Sequence, residues 1–276
     1  MADLRRSSED PRLPWLRLAS LSWLGATIKT GLIKTLGSPE AVFSASPETL
    51  AQIAGWDHRR FDRFCKERHQ AEPICPLEAL DKKGIQLLTF NDPGYPPLLR
   101  QTHDGPIALF ALGKLIPEDS RPHLAVVGAR NASQQGYDIA REFSFELAKA
   151  GFVIVSGLAL GIDTYAHRGA MEANGRTIGV LGGGVDIIYP AGNRRIRDQI
   201  RDSGLLLSEY PPGMPARPWH FPQRNRIISG ICVGTLVVEA SAQSGSLITA
   251  HLAVEQDREV FAIPGNLRSK LAQGTL

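Results

Sequence analysis

The chain has 276 residues, enough for one large domain or for a large domain with a small companion. Hydrophobic residues at 43% and charged ones at 21% exclude a largely disordered chain, and a net charge of +3 by itself selects no partner. Cys65, Cys75 and Cys232 form no CxxC pair, which excludes a disulfide scaffold and leaves no structural zinc site to expect.

The N-terminal "MADLRRSSED" is polar and mixed in charge. The first apolar stretch, "WLRLASLSWLGA", is interrupted by Arg17 and is too short to span a bilayer, so a cytoplasmic protein is expected. Residues 1–71 read as a small all-α N-terminal domain. Apolar residues recur at helical spacing from Trp15, broken by Gly25, Gly31 and Gly37. Ser46-Pro47-Glu48 then supplies a capping serine, a proline in the first helical position and an acid in the first turn. A basic helical stretch, "RRFDRFCKERH", follows. The glycine-punctuated helix pairs are similar to helix-hairpin-helix modules, which can hold a nucleic-acid backbone, although small bundles more often pack against partners or merely decorate a domain.

Residues 72–121 read as a connecting segment. Strand-like "IQLLTF" stops at the turn Asn91-Asp92-Pro93-Gly94, and a second strand-like run, "IALFALG", follows. Both are expected to extend the edge of the main sheet.

From residue 122 to 276 the pattern is regular. Strand-like runs at 124–128, 152–157, 177–183, 205–211, 233–240 and 259–265 alternate with helix-like runs at 133–150, 162–174, 193–203, 223–230 and 246–257. Near-continuous Val/Ile/Leu strands between helices predict an α/β fold with an extended Rossmann-like, doubly wound, mostly parallel sheet. Glycines follow the strands (Gly128, Gly157, Gly182 to Gly184, Gly213, Gly245, Gly265), which places these loops on one sheet edge, where such folds bind ligands.

Four stretches on that edge carry chemistry. Beside Gly128, Arg130 offers a guanidinium fork to a phosphate, and Ser133 is expected to cap the next helix with its free N–H groups aimed at the same place. In "SGLALGIDTYAH", Gly157 and Gly161 allow close backbone approach, and Asp163 with His167 form an i, i+4 pair. That pair reads as helix-stabilising, since no nucleophile lies beside it. The triple glycine of "VLGGGVDIIYPAGN" suits a backbone lying against something flat or anionic. Without a Walker lysine or a spaced GxGxxG it speaks against ATP hydrolysis and nicotinamide chemistry, and Asn193 is expected to cap a helix or meet ligand. Ser244-Gly245-Ser246 opens a helix whose first N–H groups form an anion site, and Glu239 reads as a partner for a neighbouring loop.

Between 193 and 226 stand seven arginines against three acidic residues, a local excess larger than that of the whole chain. Some belong to a solvated helix face. The rest stand in or near "FPQRNRIISG", where aromatic Phe221 neighbours Arg224 and Arg226, a cationic surface that suits an anion, and Asn225 can tie the loop to the sheet edge. Plugging the core with Phe221, and pairing Arg224 or Arg226 with Glu239, are the structural alternatives.

In order and spacing, "GARNASQQG", "SGLALGID", "VLGGGVDIIYPAGN", "SEYPPGMP", "FPQRNRIISG", "VVEASAQSGSLITAHLA" and "REVFAIPGN" resemble the DNA-processing protein A family (DprA, also called Smf). The likeness is dense over 120–267 and looser toward the N-terminus, where the bundle resembles the family's sterile-alpha-motif-like domain. It implies a single-stranded DNA-binding protein of natural transformation that protects incoming strands, loads a RecA-type recombinase and works as a homodimer. No catalysis, metal or cofactor is expected. The DNA-binding set implied is Gly128, Arg130, Ser156, Gly157, Gly182, Gly183, Phe221, Arg224, Asn225, Arg226, Ser244, Gly245 and Ser246. Ala129 stands where the family usually has serine, which removes a hydroxyl donor and leaves Arg130. The chain stops at "AQGTL", where many members continue into a winged-helix domain. The runner-up is a nucleoside-monophosphate phosphoribohydrolase of the LOG type. In that alignment Ile248 and Thr249 stand where the enzymes carry glutamates, which removes the agent of proton chemistry.

Overall fold

A computed structural model describes residues 10–53, 55–116, 120–267 and 269–276. The polar N-terminal stretch therefore lies outside the described residues up to position 9, as does part of the connecting segment. Five helices open the chain: α1 (Leu13–Ser20), α2 (Ala26–Leu36), α3 (Pro39–Ser44), α4 (Pro47–Ala51) and α5 (His58–Glu67). Local capping explains where three of them begin. Ser38, Ser46 and Asp57 accept hydrogen bonds from the backbone N–H groups of Ala41, Thr49 and Arg60, satisfying donors that a helix start leaves unpaired.

After α6 (Leu77–Lys83), β1 (Gln86–Thr89), α7 (Pro97–Gln101) and β2 (Ala108–Gly113) build the edge extension that the sequence suggests. The rest alternates strictly: β3 (His123–Val127), α8 (Gln134–Lys149), β4 (Val153–Ser156), α9 (Ile162–Glu172), β5 (Thr177–Val180), α10 (Arg194–Ser203), β6 (Leu205–Ser208), α11 (His220–Gly230), β7 (Gly234–Val237), α12 (Gly245–Glu255) and β8 (Glu259–Ala262). One eight-stranded sheet runs in the order β1-β2-β6-β5-β4-β3-β7-β8. The pairs β1–β2 and β2–β6 are antiparallel, and every pair from β6 to β8 is parallel.

Strand alternation divides the interior. Val126, Ile154 and Leu236 point to one face and pack with Ala140, Ile162, Ala166 and Ala170 of α8 and α9. Ala125, Val127, Val153, Val155 and Val237 point to the other. That second core continues through Ile227 and Ile228 of α11 and Phe110 of β2 into Leu16, Leu32 and Phe64, so the N-terminal helices are a layer on the sheet's own core. Polar bonds fix the contact: Thr30 donates to the Gly105 carbonyl at 2.5 Å, and Lys34 to that of Thr102 at 2.9 Å. Among the described residues no helix is long and apolar enough to cross a membrane.

Candidate nucleic-acid interface

From β3 the chain steps outward through β4, β5 and β6, then returns to β3's other side with β7 and β8. The switch point lies between β3 and β7, at the carboxyl ends of the strands, where open α/β sheets hold their ligands. Two connected hollows lie along this edge. The first is floored by Gly157 and Gly182 to Gly184; the second opens between Gly128, Asn225 and the 244–249 turn. Arg130, Ala159, Tyr189, Phe221 and Arg224 line both, so the hollows form one groove.

Phe221 stands at the centre. Helix α11 starts at His220, three residues before the helix-like run legible in the sequence, because Pro222 fits a first turn that needs no N–H from it. Phe221 is therefore fixed on a helix. Its ring lies against Gly182: a Cβ there would come within 2.9 Å of the ring, so only glycine allows the approach. Tyr189 stacks on it with centroids 5.6 Å apart and an interplanar angle of 27°. The guanidinium of exposed Arg130 sits 5.3 Å from the ring centroid and that of Arg224 5.9 Å. Phe221 thus lines the groove half-buried instead of plugging the core, and the flat surface that the triple glycine meets is its ring.

Arg224 is only 4% exposed, with its guanidinium in the space that a Gly157 side chain would fill. It donates to the carbonyls of Gly157, at 2.7 Å, and of Val180. Burial pulls its pKa down to about 10, with the nearby Asp163 carboxylate opposing the shift. Its charge reaches the groove through the floor, while its hydrogen bonds join β4 to β5. Arg226 departs from the sequence-based expectation. It points to the other side of α11 and donates to both carboxylate oxygens of Glu209, at 2.6 and 2.8 Å, with Asp104 at 3.6 Å. It lines neither hollow, and its ion pair is with Glu209, not Glu239, because Arg224 and Arg226 are two positions apart on a helix.

Four other expectations are corrected. The N-terminus of α8 is not open to a ligand. Ser133 caps it, accepting from Gly136 N at 3.0 Å, and the Glu239 carboxylate accepts from Ser133 N and Oγ at 3.1 and 2.8 Å. That carboxylate also occupies the place of a Gly136 Cβ, so the positive helix end is already neutralised from within. Ser156 is fully buried and donates its hydroxyl to the Val126 carbonyl at 2.6 Å, which keeps it inside the sheet. Asp163 and His167 form no pair. Asp163 accepts from the N–H groups of Gly157 and Ala159, at 3.1 and 3.2 Å, and burial raises its pKa against the pull of Arg224. His167 meets the Thr177 hydroxyl at 2.7 Å, and that hydroxyl donates onward to the Ile154 carbonyl, so His167 Nδ1 carries the donated proton. Burial holds its pKa down at about 3.

Asn193 likewise caps no helix with its side chain. Its Nδ2 donates to the carbonyls of Leu158 and Ala159 at 3.0 and 3.1 Å, while the Thr164 hydroxyl donates to Ala159 O at 2.8 Å. Together with Asp163 these bonds lock the 157–161 loop, including Leu158 at the unusual φ of 54°. The remaining expected residues meet where the sequence put them. Gly128, Asn225, Ser244, Gly245 and Ser246 line the second hollow, and Gly182 and Gly183 the first. Asn225 reaches Gly245 O at 3.4 Å, tying α11 to the start of α12. Sequence reasoning missed Tyr189, whose only signal was an aromatic–proline pair just after the glycine loop. Among the described residues no three His, Cys, Asp or Glu side chains gather as a metal site.

The family model for DNA recombination-mediator protein A matches residues 86–276. Protein Smf of Synechocystis sp. is 39% identical over 265 residues, covering 95% of this chain and 67% of that protein. The X-ray structure of DNA processing protein A from Streptococcus pneumoniae superposes with a TM-score of 0.78 at 36% identity, covering 94% of this chain and 88% of that one. DNA processing protein A from Helicobacter pylori, described for its mode of binding single-stranded DNA, superposes with a TM-score of 0.62 at 29% identity, covering 69% and 85%.

Proposed function

The chain belongs to the DNA recombination-mediator protein A family, and from that premise we propose that it binds single-stranded DNA in the groove at the β3–β7 switch point. The observation that carries this reading is Phe221 with Arg130 held 5.3 Å from its ring centroid: an apolar plate for a base beside a cation for its phosphate. Stacking on such a plate tolerates any base, because every base has a π-face. The backbone supplies the rest of the affinity by releasing counterions. In this reading the protein serves DNA processing in the cytoplasm during transformation. It shields incoming strands, hands them to a RecA-type recombinase and acts as a homodimer.

The same groove supports binding without bond breaking. Its acid, Asp163, is spent on two backbone N–H groups, while Ile248 and Thr249 stand at the turn where a phosphoribohydrolase would need carboxylates. Release of free base from AMP or CMP above background would sink that part.

The deciding experiment is a titration with single-stranded and duplex oligonucleotides at several salt concentrations. Single strands bind more tightly, with a log–log salt slope of roughly −0.7 for each phosphate neutralised. Equal affinity for duplex, or a slope near zero, rejects the reading.

A further inference from the structure

Trp219 is 56% exposed, next in sequence to the buried His220 and two residues from Phe221. Its ring is flanked by His220 and Arg217. Its ring meets that of His220 edge-on, with centroids 5.9 Å apart at 84°. His220 in turn stacks on Tyr210 at 4.0 Å and bonds the Gly182 carbonyl at 2.9 Å. The guanidinium of Arg217 sits 5.3 Å from the Trp219 centroid, and Arg217 meets no carboxylate among the described residues. Between the two, Pro218 lines the groove that Phe221 centres. A large aromatic left in water beside an unneutralised cation, the two flanking a groove-lining proline, repeats the chemistry of Phe221 with Arg130.

Resting on the single-stranded DNA reading above, we infer that Trp219 and Arg217 form a second nucleotide subsite, taking the base and phosphate next to those held at Phe221 and Arg130. The occupant is the same polynucleotide. Charge singles it out: Arg217 and Arg130 both lack an acidic partner, and a strand leaving the groove past Pro218 carries one phosphate per nucleotide to meet them.

The test uses the full chain and a short oligothymidylate, read by tryptophan fluorescence and by affinity. Trp219 is quenched on binding, and Trp219→Phe removes the quench while keeping a stacking ring and most of the affinity. Trp219→Ala weakens binding about 5- to 150-fold, the range expected for one lost base stack. On an abasic strand of the same length the wild type and Trp219→Ala bind alike, and Arg217→Ala flattens the salt slope by roughly 0.7. The inference is overturned if Trp219→Ala binds oligothymidylate as the wild type does while Phe221→Ala does not; Trp219 would then serve a protein surface and the groove would stand. A wild type that binds no single strand overturns both together.

Discussion

The N-terminal helical layer and the groove rim use arginine in opposite ways. In the layer, Arg12 pairs with Asp10 and Asp81, Arg60 with Asp57 and Arg63 with Glu67. Arg17 and Arg68 donate to backbone carbonyls, which leaves Arg59 as the exception among the described residues. Beyond the layer, Arg130, Arg194, Arg195 and Arg217 are exposed and meet no carboxylate among the described residues, and Arg130 lines the groove. Cations neutralised by their own chain stabilise a fold, whereas cations left bare create a field that an anion completes. The same division runs through α10 and α11. Arg197 donates to Val185 O at 2.6 Å, Arg201 pairs with Asp202, and Arg224 and Arg226 are spent internally.

The strongest way to break this comparison is Arg224→Ala. It orphans two buried carbonyls and strips Asp163 of its counter-charge, which costs about 3–5 kcal/mol by analogy with other broken buried pairs. Chemical denaturation reads it directly. Arg130→Ala, in contrast, stays within about 0.5 kcal/mol of wild-type stability. If the two variants unfold at the same denaturant concentration, fastening and free arginines have been misassigned.

Phe221→Ala comes next, with a loss of roughly 1–3 kcal/mol in single-strand affinity for one missing base platform. The fold is retained, since the ring is half-buried over Gly182 and Tyr189 instead of lying in the core. A protein that loses stability and keeps its affinity would return Phe221 to the interior.

An effect set by pH sharpens the buried side of the comparison. Folded His167 titrates near 3 against an ordinary value of 6.5, because burial disfavours its charged form. Its stabilising contribution is whole above about 6.5 and is lost as pH falls toward 3, since the unfolded chain takes the proton first. The slope reaches about 1.4 kcal/mol per pH unit. Against His167→Asn, which cannot protonate, wild-type stability should fall more steeply across that window. Parallel curves would show that His167 is hydrated in the fold.

The fold and the place of the groove were legible because their signals are local. Alternating apolar runs mark a parallel sheet, and glycines after the strands mark the binding edge. "FPQRN" likewise announced an aromatic beside cations. What was not legible is which way each arginine turns. Arg224 and Arg226 look equivalent in sequence; only α11's rotation sends one under the groove and the other to Glu209. The α8 N-terminus looked open because Glu239, which fills it, comes from a strand end 106 positions away. Asn193 bonds a loop 34 and 35 positions upstream, another partnership that no local pattern encodes.

The smallest expected effect lies in the helical layer and is the most exacting for the comparison. Arg63 meets Glu67 at 2.8 Å, with the two side chains 50% and 44% exposed, and sits 4.4 Å from the Trp23 ring centroid. An exposed i, i+4 pair is worth about 0.3–0.5 kcal/mol, because water screens it and two long side chains must be held still. Arg63→Ala should therefore shift the unfolding midpoint slightly and leave single-strand affinity and its salt slope unchanged. The charge it removes was already balanced by Glu67, so no counterion would be released there on DNA binding. A salt slope that flattens as much in Arg63→Ala as in Arg130→Ala would mean that the basic helix touches the strand despite its own acids. Carboxylate pairing would then no longer separate the two regions.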